Sequence, residues 1–493
     1  MPMSRSQFKW SRGKLTEGFS SMAQHLGMKP DEVVFIHSLV VNPKGRSWRL
    51  KYFSSDSLTS SYVGCMSGPS STVMHFPMSK SQQQYWDKYF KNGGQLIPVQ
   101  RKGNTLSYPD TSLIEALLDN CISTREFELL AGKVIANSFV TDEVEELAKK
   151  VGGRTLMSCE EFLHFCGKDY LHKVADQIGI AVPPGIVVQG HTTSSTIIDF
   201  FRQKLENDGI DPAHTKVWIK PSSLSGGRGI IRPNGSTESL SEGLLQLAKV
   251  FHQAGFYTEA VKEESQLSID DPFEGMLKFM PIILEADVAE LPCVRRKVDD
   301  VAVNAVSGQN GVVHVETTPF HAENGIYTGS RLPTPEDDTL VEVAEVSVDR
   351  LLNWMWGEGY RGYVGVDTVV VEKTNGQLVA YVTDLNTRLC GATPLIVMAH
   401  RFEARLGYRP CVFSETFRLR IPEDTIDPFD VVEKSLGNLL YRGSESGYAG
   451  IAPIIVHIHP DTDFIQFRAI AIGRDELHLN ILALALESLE KYE

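Results

Sequence analysis

The sequence of 493 residues has few cysteines, and none of them forms a C-x-x-C pair. Seven widely spaced cysteines are an odd number, which argues against a disulfide framework and gives no zinc-ligand spacing. The chain also lacks any run of about 18 apolar residues, the length that a membrane-spanning helix requires. We therefore expect reduced thiols, no membrane partner and a cytoplasmic location.

An excess of positive charge is also missing. The chain has 48 Lys and Arg against 62 Asp and Glu, a formal net charge of −14. This balance argues against nucleic acid as a partner, because nucleic-acid binding depends on neutralising phosphates with basic side chains. The length indicates several domains. Apolar runs with strand character alternate with segments of helical periodicity, which predicts an α/β or α+β fold.

The common phosphate-binding motifs are absent from the most glycine-rich segment. Residues 216–231, KVWIKPSSLSGGRGII, contain neither G-K-[ST] nor G-x-G-x-x-G. A predicted strand ends at Lys220, a Ser and Gly loop follows, and a second apolar strand begins. Glycines let backbone N–H groups approach an anion closely, and Lys220 and Arg228 add positive charge at the two ends. A surface hairpin of the same composition remains the alternative.

A second feature is the dipeptide Asn375-Gly376 between two apolar runs, which is typical of a two-residue hairpin turn. With these residues as the turn, Asp367 lies directly opposite Asp384, and Asn386 shares their face. Two opposed carboxylates among apolar neighbours repel each other and are costly to bury. A divalent cation removes both costs, and Mg²⁺ is usually held by one or two carboxylates plus phosphates. A register slip that exposes one aspartate is the alternative.

The same turn fixes the remaining cross-strand pairs of this hairpin. It predicts Val369 opposite Val382 and Val371 opposite Ala380 on the face of the aspartates. It places Tyr381 on the other face. These pairs test the register independently of any metal.

Taken in chain order, these segments resemble the ATP-grasp superfamily. The order is a lysine ahead of a strand at Gly167-Lys168, the strand lysine Lys220 with its Gly-rich loop, a short hinge strand at 257–261, and a metal hairpin at 365–388. The resemblance covers about residues 155–400. It implies an ATP-grasp fold that uses ATP together with Mg²⁺, or with Mn²⁺ in its place.

The resemblance also implies roles for individual residues. ATP would be contacted by Lys168, Lys220, Ser225, Gly226, Gly227, Arg228, Gly229, Glu259, Ala260, Val261 and Gln266. Asp367, Asp384 and Asn386 would hold the metal. The second metal carboxylate is usually Glu in this superfamily, so Asp384 leaves the number of ions open. Arg388 would stabilise the transferring phosphoryl group or an acyl-phosphate oxyanion.

Three further arginines are candidates for gripping a substrate carboxylate, because a guanidinium can bind one bidentately. They are Arg295, Arg296 and Arg331, of which Arg331 is the candidate we place among the catalytic residues. Surface ion pairing is the alternative for each.

Within the superfamily, three phrases look most like the peptide ligases related to the pheganomycin-type enzyme. They are GKDYLHKVADQIGIAVPPG (167–185), GYRGYVGVD (359–367) and DLNTRLCGATP (384–394). This implies four parts: a Rossmann-like pre-ATP-grasp domain at 1–155, a first ATP-grasp lobe at 156–262, a second lobe at 263–400 and a C-terminal subdomain at 401–493.

The expected function is ATP- and Mg²⁺-dependent joining of a small-molecule carboxylate to an amine, with an amino acid or peptide as substrate. The reaction would pass through an acyl phosphate and release ADP and phosphate. Family members are often dimers, so a homodimer is compatible with the resemblance. Carboxylation or phosphoryl transfer on the same fold, or nucleotide binding without turnover, remain the alternatives.

Overall fold

The computed structural model describes residues 11–36, 72–75, 79–90, 95–98, 113–118, 124–137, 140–190, 192–222, 230–253, 281–323, 325–422, 425, 427–458 and 464–491. The strands are β1 (Ser11–Arg12), β2 (Val33–Ile36), β3 (Thr72–His75), β4 (Gln95–Pro98), β5 (Val134–Asn137), β6 (Arg154–Thr155), β7 (Gly185–Val188), β8 (Val217–Pro221), β9 (Ile282–Ala286), β10 (Val294–Gly308), β11 (Gly311–Glu323), β12 (Ile326–Arg331), β13 (Gly362–Lys373), β14 (Leu378–Asn386), β15 (Cys411–Arg420), β16 (Gly450–Ile458) and β17 (Phe464–Gly473). The helices are α1 (Phe19–His25), α2 (Lys80–Tyr89), α3 (Leu113–Leu118), α4 (Thr124–Leu130), α5 (Asp142–Lys150), α6 (Cys159–Cys166), α7 (Lys168–Ile178), α8 (Ser194–Asn207), α9 (Thr237–Gln253), α10 (Asp338–Gly357), α11 (Thr393–Leu406), α12 (Pro428–Leu436) and α13 (Glu476–Lys491).

The largest sheet has nine strands, in the order β14-β13-β10-β11-β12-β15-β17-β16, with β1 added beside β11. All of its pairs are antiparallel except the parallel pair of β1 and β11. Helix α10 packs on one face through Leu340, Ala344, Val348 and Leu351, which recur at helical spacing and are buried. This sheet is the frame on which the metal hairpin is built.

The N-terminal sheet has five parallel strands in the order β4-β3-β2-β5-β6. Parallel strands need crossover connections, and helices α2 to α5 lie between them in the sequence. Strands β3 and β4 lie on one side of β2, and strands β5 and β6 lie on the other. The direction in which strands are added therefore reverses between β2 and β5, as in a Rossmann-like domain. The predicted Rossmann-like N-terminal domain is therefore confirmed.

A third sheet is small and antiparallel, in the order β7-β9-β8. Helices α8 and α9 cover it with buried apolar residues such as Phe201 and Leu244. The same apolar cluster includes Val371 of β13 and Tyr381 of β14. The small sheet therefore packs directly against the hairpin that carries the two aspartates.

Most elements agree with the sequence-based expectations, and local chemistry explains their ends. Helix α7 ends at Ile178, and its C-cap Gly179 has a φ of 65°, the left-handed conformation that favours glycine. Helix α6 begins with a capping box between Ser158 and Glu161.

The predicted domain boundary at residue 401 falls inside helix α11, and β15 to β17 belong to the same sheet as β10 to β14. The four-part division stays a prediction. Among the described residues, no helix is both long enough and apolar enough to cross a bilayer.

Candidate functional site

The hairpin between β13 and β14 has a different turn from the one predicted. The N–H of Gly376 donates to the carbonyl of Lys373 at 2.8 Å, and the N–H of Lys373 donates to the carbonyl of Gln377 at 2.8 Å. Three residues therefore form the turn, and Gly376, with a φ of 83°, supplies its left-handed position. The predicted two-residue turn is wrong by one residue.

A β-bulge restores the register farther along the hairpin. Thr368 lies opposite Val382, but the next pair is Asp367 opposite Asp384, so Thr383 is an extra residue in β14. The two one-residue differences cancel, and the predicted opposition of the aspartates is correct. Between the turn and the bulge the longer turn acts alone, so the cross-strand pairs there are shifted by one residue from the predicted pairs.

The predicted pairs on the turn side are accordingly wrong. Val369 lies opposite Tyr381, and Val371 lies opposite Val379. Tyr381 packs with Val371 against the small sheet, while Val382 packs on the α10 side. Because of the bulge, Asp384 of β14 lies opposite Asp367, on the face that also carries Val369 and Val371.

The two aspartates differ in ionisation although they are neighbours. Removal from water, and then the charge of Asp384, raise the pKa of Asp367 to about 7. Burial also opposes ionisation of Asp384, but the ammonium groups of Lys168 and Lys220 hold its pKa below the usual range. The Asp384 side chain keeps 25% of its exposure, so this pair lines an accessible surface.

The residues present fit a hard divalent cation. The amide Nδ2 of Asn386 donates to Asp367 Oδ2 at 3.0 Å, and Asp384 lies opposite Asp367 across the hairpin. The described chain contains no group of three or more His, Cys, Asp or Glu arranged around a metal position. Two carboxylates and an amide are instead the sparse oxygen set with which proteins hold Mg²⁺ when phosphates complete its coordination.

Lys168 occupies the first position of helix α7, and strand β7 is the next element along the chain. Its ammonium forms an ion pair with Asp384 Oδ2, and its backbone N–H donates to the carbonyl of Ser222 at 3.0 Å. A cation at a helix N-terminus opposes the helix dipole, so this position favours an anion in front of it. Ser222 is the last described residue before the Gly-rich loop.

Lys220 joins the small sheet to the hairpin. Its ammonium forms an ion pair with Glu285 Oε1 of β9 and donates to the carbonyl of Thr383, the bulged residue, at 3.3 Å. Glu285 is buried, and its Oε2 lies 3.2 Å from His172 Nε2. Burial alone would raise the pKa of Glu285, but Lys220 and His172 outweigh it and lower the pKa.

Glu285 and His172 are site residues that our sequence analysis missed. A signal was present for the glutamate, because it is the single charged residue in an otherwise apolar strand, Ile282–Ala286. A charged residue at such a position is rarely buried without a partner.

Arg388 lies two residues beyond β14 and lines a cavity between the hairpin and the parallel sheet. The opposite wall of this cavity includes Phe35 of β2 and Asn137, the last residue of β5. The positive charge of Arg388 helps to lower the pKa of Asp384 and partly offsets the rise in the pKa of Asp367. The cavity is thus at the reversal point of the parallel strands, where ligands of open α/β sheets bind.

The three arginines predicted to grip a substrate carboxylate are paired within the chain. Arg331 Nη1 and Nη2 lie 2.5 and 2.9 Å from the two carboxylate oxygens of Asp337. Arg295 and Arg296 both bond to Glu372, at 2.9 and 2.7 Å, and their side chains are 68% and 64% exposed. The structure thus favours the ion-pair alternative for all three.

The remaining predicted ATP contacts lie outside the described residues. They are Ser225, Gly226, Gly227, Arg228 and Gly229 of the loop, and Glu259, Ala260, Val261 and Gln266 of the hinge segment. Their roles stay predictions.

No protein-family model matches the sequence, and a search of curated proteins gives no match. Among solved structures, the biotin carboxylase domain of 2-oxoglutarate carboxylase from Hydrogenobacter thermophilus, in complex with MgADP, ADP and bicarbonate, matches 93% of this chain and 90% of its own. The TM-score is 0.50 and the sequence identity 12%. The ATP-grasp fold is confirmed.

Two further structures align over similar lengths but with lower scores. N5-carboxyaminoimidazole synthetase from Staphylococcus aureus covers 93% of this chain and 97% of its own, at 13% identity and a TM-score of 0.48. Phosphoribosylamine–glycine ligase from Thermotoga maritima covers 92% and 96%, at 14% identity and a TM-score of 0.45. At such scores these two add no argument about function.

Proposed function

We propose that the chain is an ATP- and Mg²⁺-dependent carboxylate–amine ligase. The observation that carries the proposal is the opposition of Asp367 and Asp384 beside two buried lysines from separate elements, Lys168 and Lys220. Charges of both signs converge there from helix α7, the small sheet and the hairpin. Such an arrangement suits a nucleotide triphosphate with its metal, because the carboxylates bind the cation and the lysines bind the phosphates.

The ligand-free contacts support this division of roles. Lys168 and Lys220 each form an ion pair with a carboxylate of the chain, and one of those carboxylates, Asp384, is a proposed metal ligand. Asp367, Asp384 and Asn386 would hold Mg²⁺, which would supply positive charge against the charge that develops in phosphoryl transfer. Lys168 would then exchange its carboxylate partner for phosphate. Lys220 keeps Glu285 as an anchor and is thereby oriented toward the bulge at Thr383.

The proposed reaction balances as two substitutions. A carboxylate oxygen of the substrate attacks the γ-phosphorus of ATP, and ADP leaves. The amine then attacks the acyl carbon, phosphate leaves, and the amine loses one proton. Arg388 is our candidate to stabilise negative charge that develops in either step, since its positive charge acts on both aspartates.

The cavity beside Arg388 is the proposed location of the acyl group. It lies between the hairpin and the C-terminal ends of β2 and β5, and Tyr360 and Tyr363 contribute to its wall. An enclosed location serves the chemistry, because an acyl phosphate must be kept from water. The peptide-ligase subtype is part of the proposal, and it rests on the three sequence phrases that resemble the pheganomycin-type group. A homodimer and a cytoplasmic location remain parts of the proposal as well.

The experiment measures ADP release with a panel of carboxylic acids, with hydroxylamine as the trap for an acyl phosphate. We expect a subset of the acids to give both ADP and a hydroxamate. The variant Asp384→Asn should abolish both signals. The variant Arg296→Leu, which loses only an exposed ion pair, should keep both. If ATP binds and no acid produces ADP or hydroxamate, the ligase proposal is wrong.

A carboxylase is the second candidate, because the biotin carboxylase domain with a TM-score of 0.50 was solved with MgADP and bicarbonate. That reading predicts ADP release that depends on added bicarbonate and gives no hydroxamate with organic acids. Stripping bicarbonate from the assay separates the two candidates.

A further inference from the structure

One arginine of the large sheet differs from those considered above. Arg468 lies in β17, opposite Thr416 of β15. Its Nε and Nη2 atoms are buried and, within the part of the chain that the structure describes, have no hydrogen-bond partner. A buried cationic donor without an acceptor costs free energy, since its lost hydration is not replaced. Two such donors on one guanidinium indicate a missing anionic partner.

The surroundings of Arg468 hold the guanidinium in a fixed plane. Its central carbon lies 4.6 Å from the centre of the Tyr327 ring. The Tyr327 hydroxyl and the Ser330 hydroxyl are 2.7 Å apart, which fixes the ring in turn. A guanidinium that stacks on an aromatic face keeps its in-plane N–H groups free for a ligand.

Gly391 connects this arginine to the site. A Cβ atom added to Gly391 would lie 2.7 Å from the Tyr327 ring and 3.2 Å from Arg468 Nη1, so only glycine leaves this space. Gly391 is three residues beyond Arg388. The next residue back, Cys390, lies 3.5 Å from the Cβ position of Gly365, which pairs with Asn386 of the metal hairpin. Arg468 is therefore linked to the metal hairpin through the packing of Gly391 and Cys390.

The start of helix α11 adds positive potential at this point. Its N-cap, Ala392, follows Gly391 directly and provides no side-chain hydrogen bond. A helix N-terminus attracts negative charge through its dipole. The N–H of Thr393 already donates to the carbonyl of Cys390 at 3.1 Å, and Pro394 has no N–H, so the dipole is the contribution at this point. This effect has the same sign as the Arg468 charge and supports an anion between them.

We propose that Arg468 binds a carboxylate of the amine substrate, one that takes no part in the reaction. This inference rests on the proposed ligase function. Nε and Nη2 form the edge of a guanidinium that accepts a carboxylate side-on, with one N–H for each oxygen. A carboxylate held in this way has neither oxygen available to attack ATP. The substrate class is thus an α-amino acid, or a peptide with a free C-terminal carboxylate, whose amine attacks the activated acyl group.

The contrast with Arg331 sharpens the assignment. Arg331 binds a carboxylate end-on through its terminal nitrogens Nη1 and Nη2, and Asp337 of the chain already occupies them. Arg468 presents its Nε–Nη2 edge, and neither atom has a hydrogen-bond partner in the described chain. Of these two buried or half-buried arginines, Arg468 is the one prepared for a ligand.

A binding experiment tests the proposal without turnover. Thermal unfolding of the full chain is recorded with Mg·ADP and either each of the common amino acids or its C-terminal amide. We expect at least one amino acid to raise the Tm while its amide does not, because binding to the native state alone stabilises it. The Arg468→Leu variant should lose that response. No response to any acid in the wild-type chain, or an equal response to acid and amide, would refute the assignment.

A turnover experiment uses the same pairs with the acid that gives a hydroxamate. We expect the amino acid to be preferred over its amide by at least about tenfold in kcat/KM, the value of one hydrogen bond to a charged group or more. Arg468→Leu should abolish the preference for the amino acid over its amide. A preference that survives in the variant would refute the role of Arg468.

Two further variants separate binding from folding. Arg468→Lys keeps the charge but not the paired donors, so it should retain the Tm of the wild type and lose most of the acid-over-amide preference. Arg405→Leu is the matched control, because Arg405 also stacks on a tyrosine, Tyr448, at 4.5 Å, but on an exposed surface. It should keep the preference. Absence of any hydroxamate would count against the ligase function, while the Tm response would still decide the carboxylate site.

Discussion

Two clusters of charged side chains lie at the large sheet, and they differ in how their charges are paired. The hairpin cluster consists of Asp367, Asp384, Lys168, Lys220 and Glu285. The inner-sheet cluster consists of Arg12, His314, Glu316, Glu345, His400 and Arg409. Both are largely shielded from water, so burial alone does not distinguish a candidate site from a structural network.

The inner-sheet cluster gives each acid a basic partner. Glu316 Oε2 lies 3.3 Å from His400 Nε2 and 3.1 Å from Arg409 Nη2. Burial raises the pKa of Glu316, but these two partners outweigh it and lower the pKa to about 2. Arg12 bonds to Glu345 at 2.9 Å, which attaches the N-terminal strand β1 to helix α10. Opposite charges are matched locally, as expected for a network that holds elements together.

The hairpin cluster instead places two acids directly opposite each other. The same environment raises the pKa of Asp367 and lowers that of Asp384. A like-charge pair at a cross-strand position destabilises the chain that contains it. We infer from this difference that the hairpin is arranged for a bound cation. Substitutions that remove one acidic charge should therefore stabilise the chain in the hairpin cluster and destabilise it in the inner-sheet cluster.

The largest expected effect is on activity and follows from Asp367→Asn. Removing one proposed metal ligand should lower ligase turnover at least about 1000-fold, roughly 4 kcal/mol, since metal stabilisation of transition-state charge contributes several kcal/mol. Without Mg²⁺ the same variant should be more stable than the wild type by about 1 kcal/mol, because the repulsion with Asp384 is gone. Turnover and urea unfolding at pH 8 measure the two changes.

The matched variant for this comparison is Thr368→Val, one residue away on the other face of the hairpin strand. It loses a hydrogen bond to the carbonyl of Val301 but touches neither aspartate in the described contacts. It should lower stability slightly and leave Mg·ATP binding unchanged. A destabilised Asp367→Asn variant would show that the aspartate pair is structural.

The next largest effect is expected from Glu316→Gln in the inner-sheet cluster. Removing the charge leaves the buried His400 without its acidic partner and also breaks the ion pair with the more exposed Arg409, which should cost about 3 kcal/mol of unfolding free energy. Mg·ATP affinity should stay within a factor of two or so, because the cluster makes no described contact with the hairpin aspartates. Urea unfolding and calorimetry test the two statements. Loss of nucleotide binding in a folded variant would contradict this separation.

The sequence was most informative where local chemistry decides the structure. Gly376 predicted a turn, and the alternation of residues along β13 predicted the face on which Asp367 lies. The register came out correctly at the aspartates only because a longer turn and a bulge at Thr383 cancel. A bulge has no strong sequence signal, since Thr383 is an ordinary strand residue. The prediction was therefore right at the site and wrong closer to the turn.

The sequence was least informative where distant segments meet. Arg331 and Arg468 are each the one arginine of their strand, and the strand sequences alone do not tell which has an acidic partner. Asp337 pairs with Arg331 through a capping turn six residues away, whereas Arg468 meets Gly391 only through the order of strands in the sheet. Such pairings depend on sheet topology, which residue periodicity does not encode.

The smallest expected effect concerns the pH dependence of stability and isolates His314. This side chain is 1% exposed, its Nε2 lies 2.9 Å from Thr317 Oγ1, and Arg12, Glu316, Glu345 and His400 surround it. Burial, with a smaller effect of the Arg12 charge, lowers its pKa from 6.5 to about 4. The unfolded chain then binds more protons than the native chain between these values, so stability falls as the pH falls below 6.5.

The variant His314→Gln, which keeps a hydrogen-bonding group for Thr317, should lack this contribution. Between pH 7 and pH 5 the wild type should lose about 2 kcal/mol more unfolding free energy than the variant. Urea unfolding at the two pH values gives the difference directly. Asp211, exposed and bonded to His214 at 2.7 Å, provides the control. Replacing it with Asn should leave the pH 7 to pH 5 loss close to that of the wild type, since exposed pairs contribute little. Equal losses of unfolding free energy in the wild type and in His314→Gln would mean that His314 is protonated in the native chain. The inner-sheet cluster would then be a charged network like the hairpin cluster, not one with a neutral histidine.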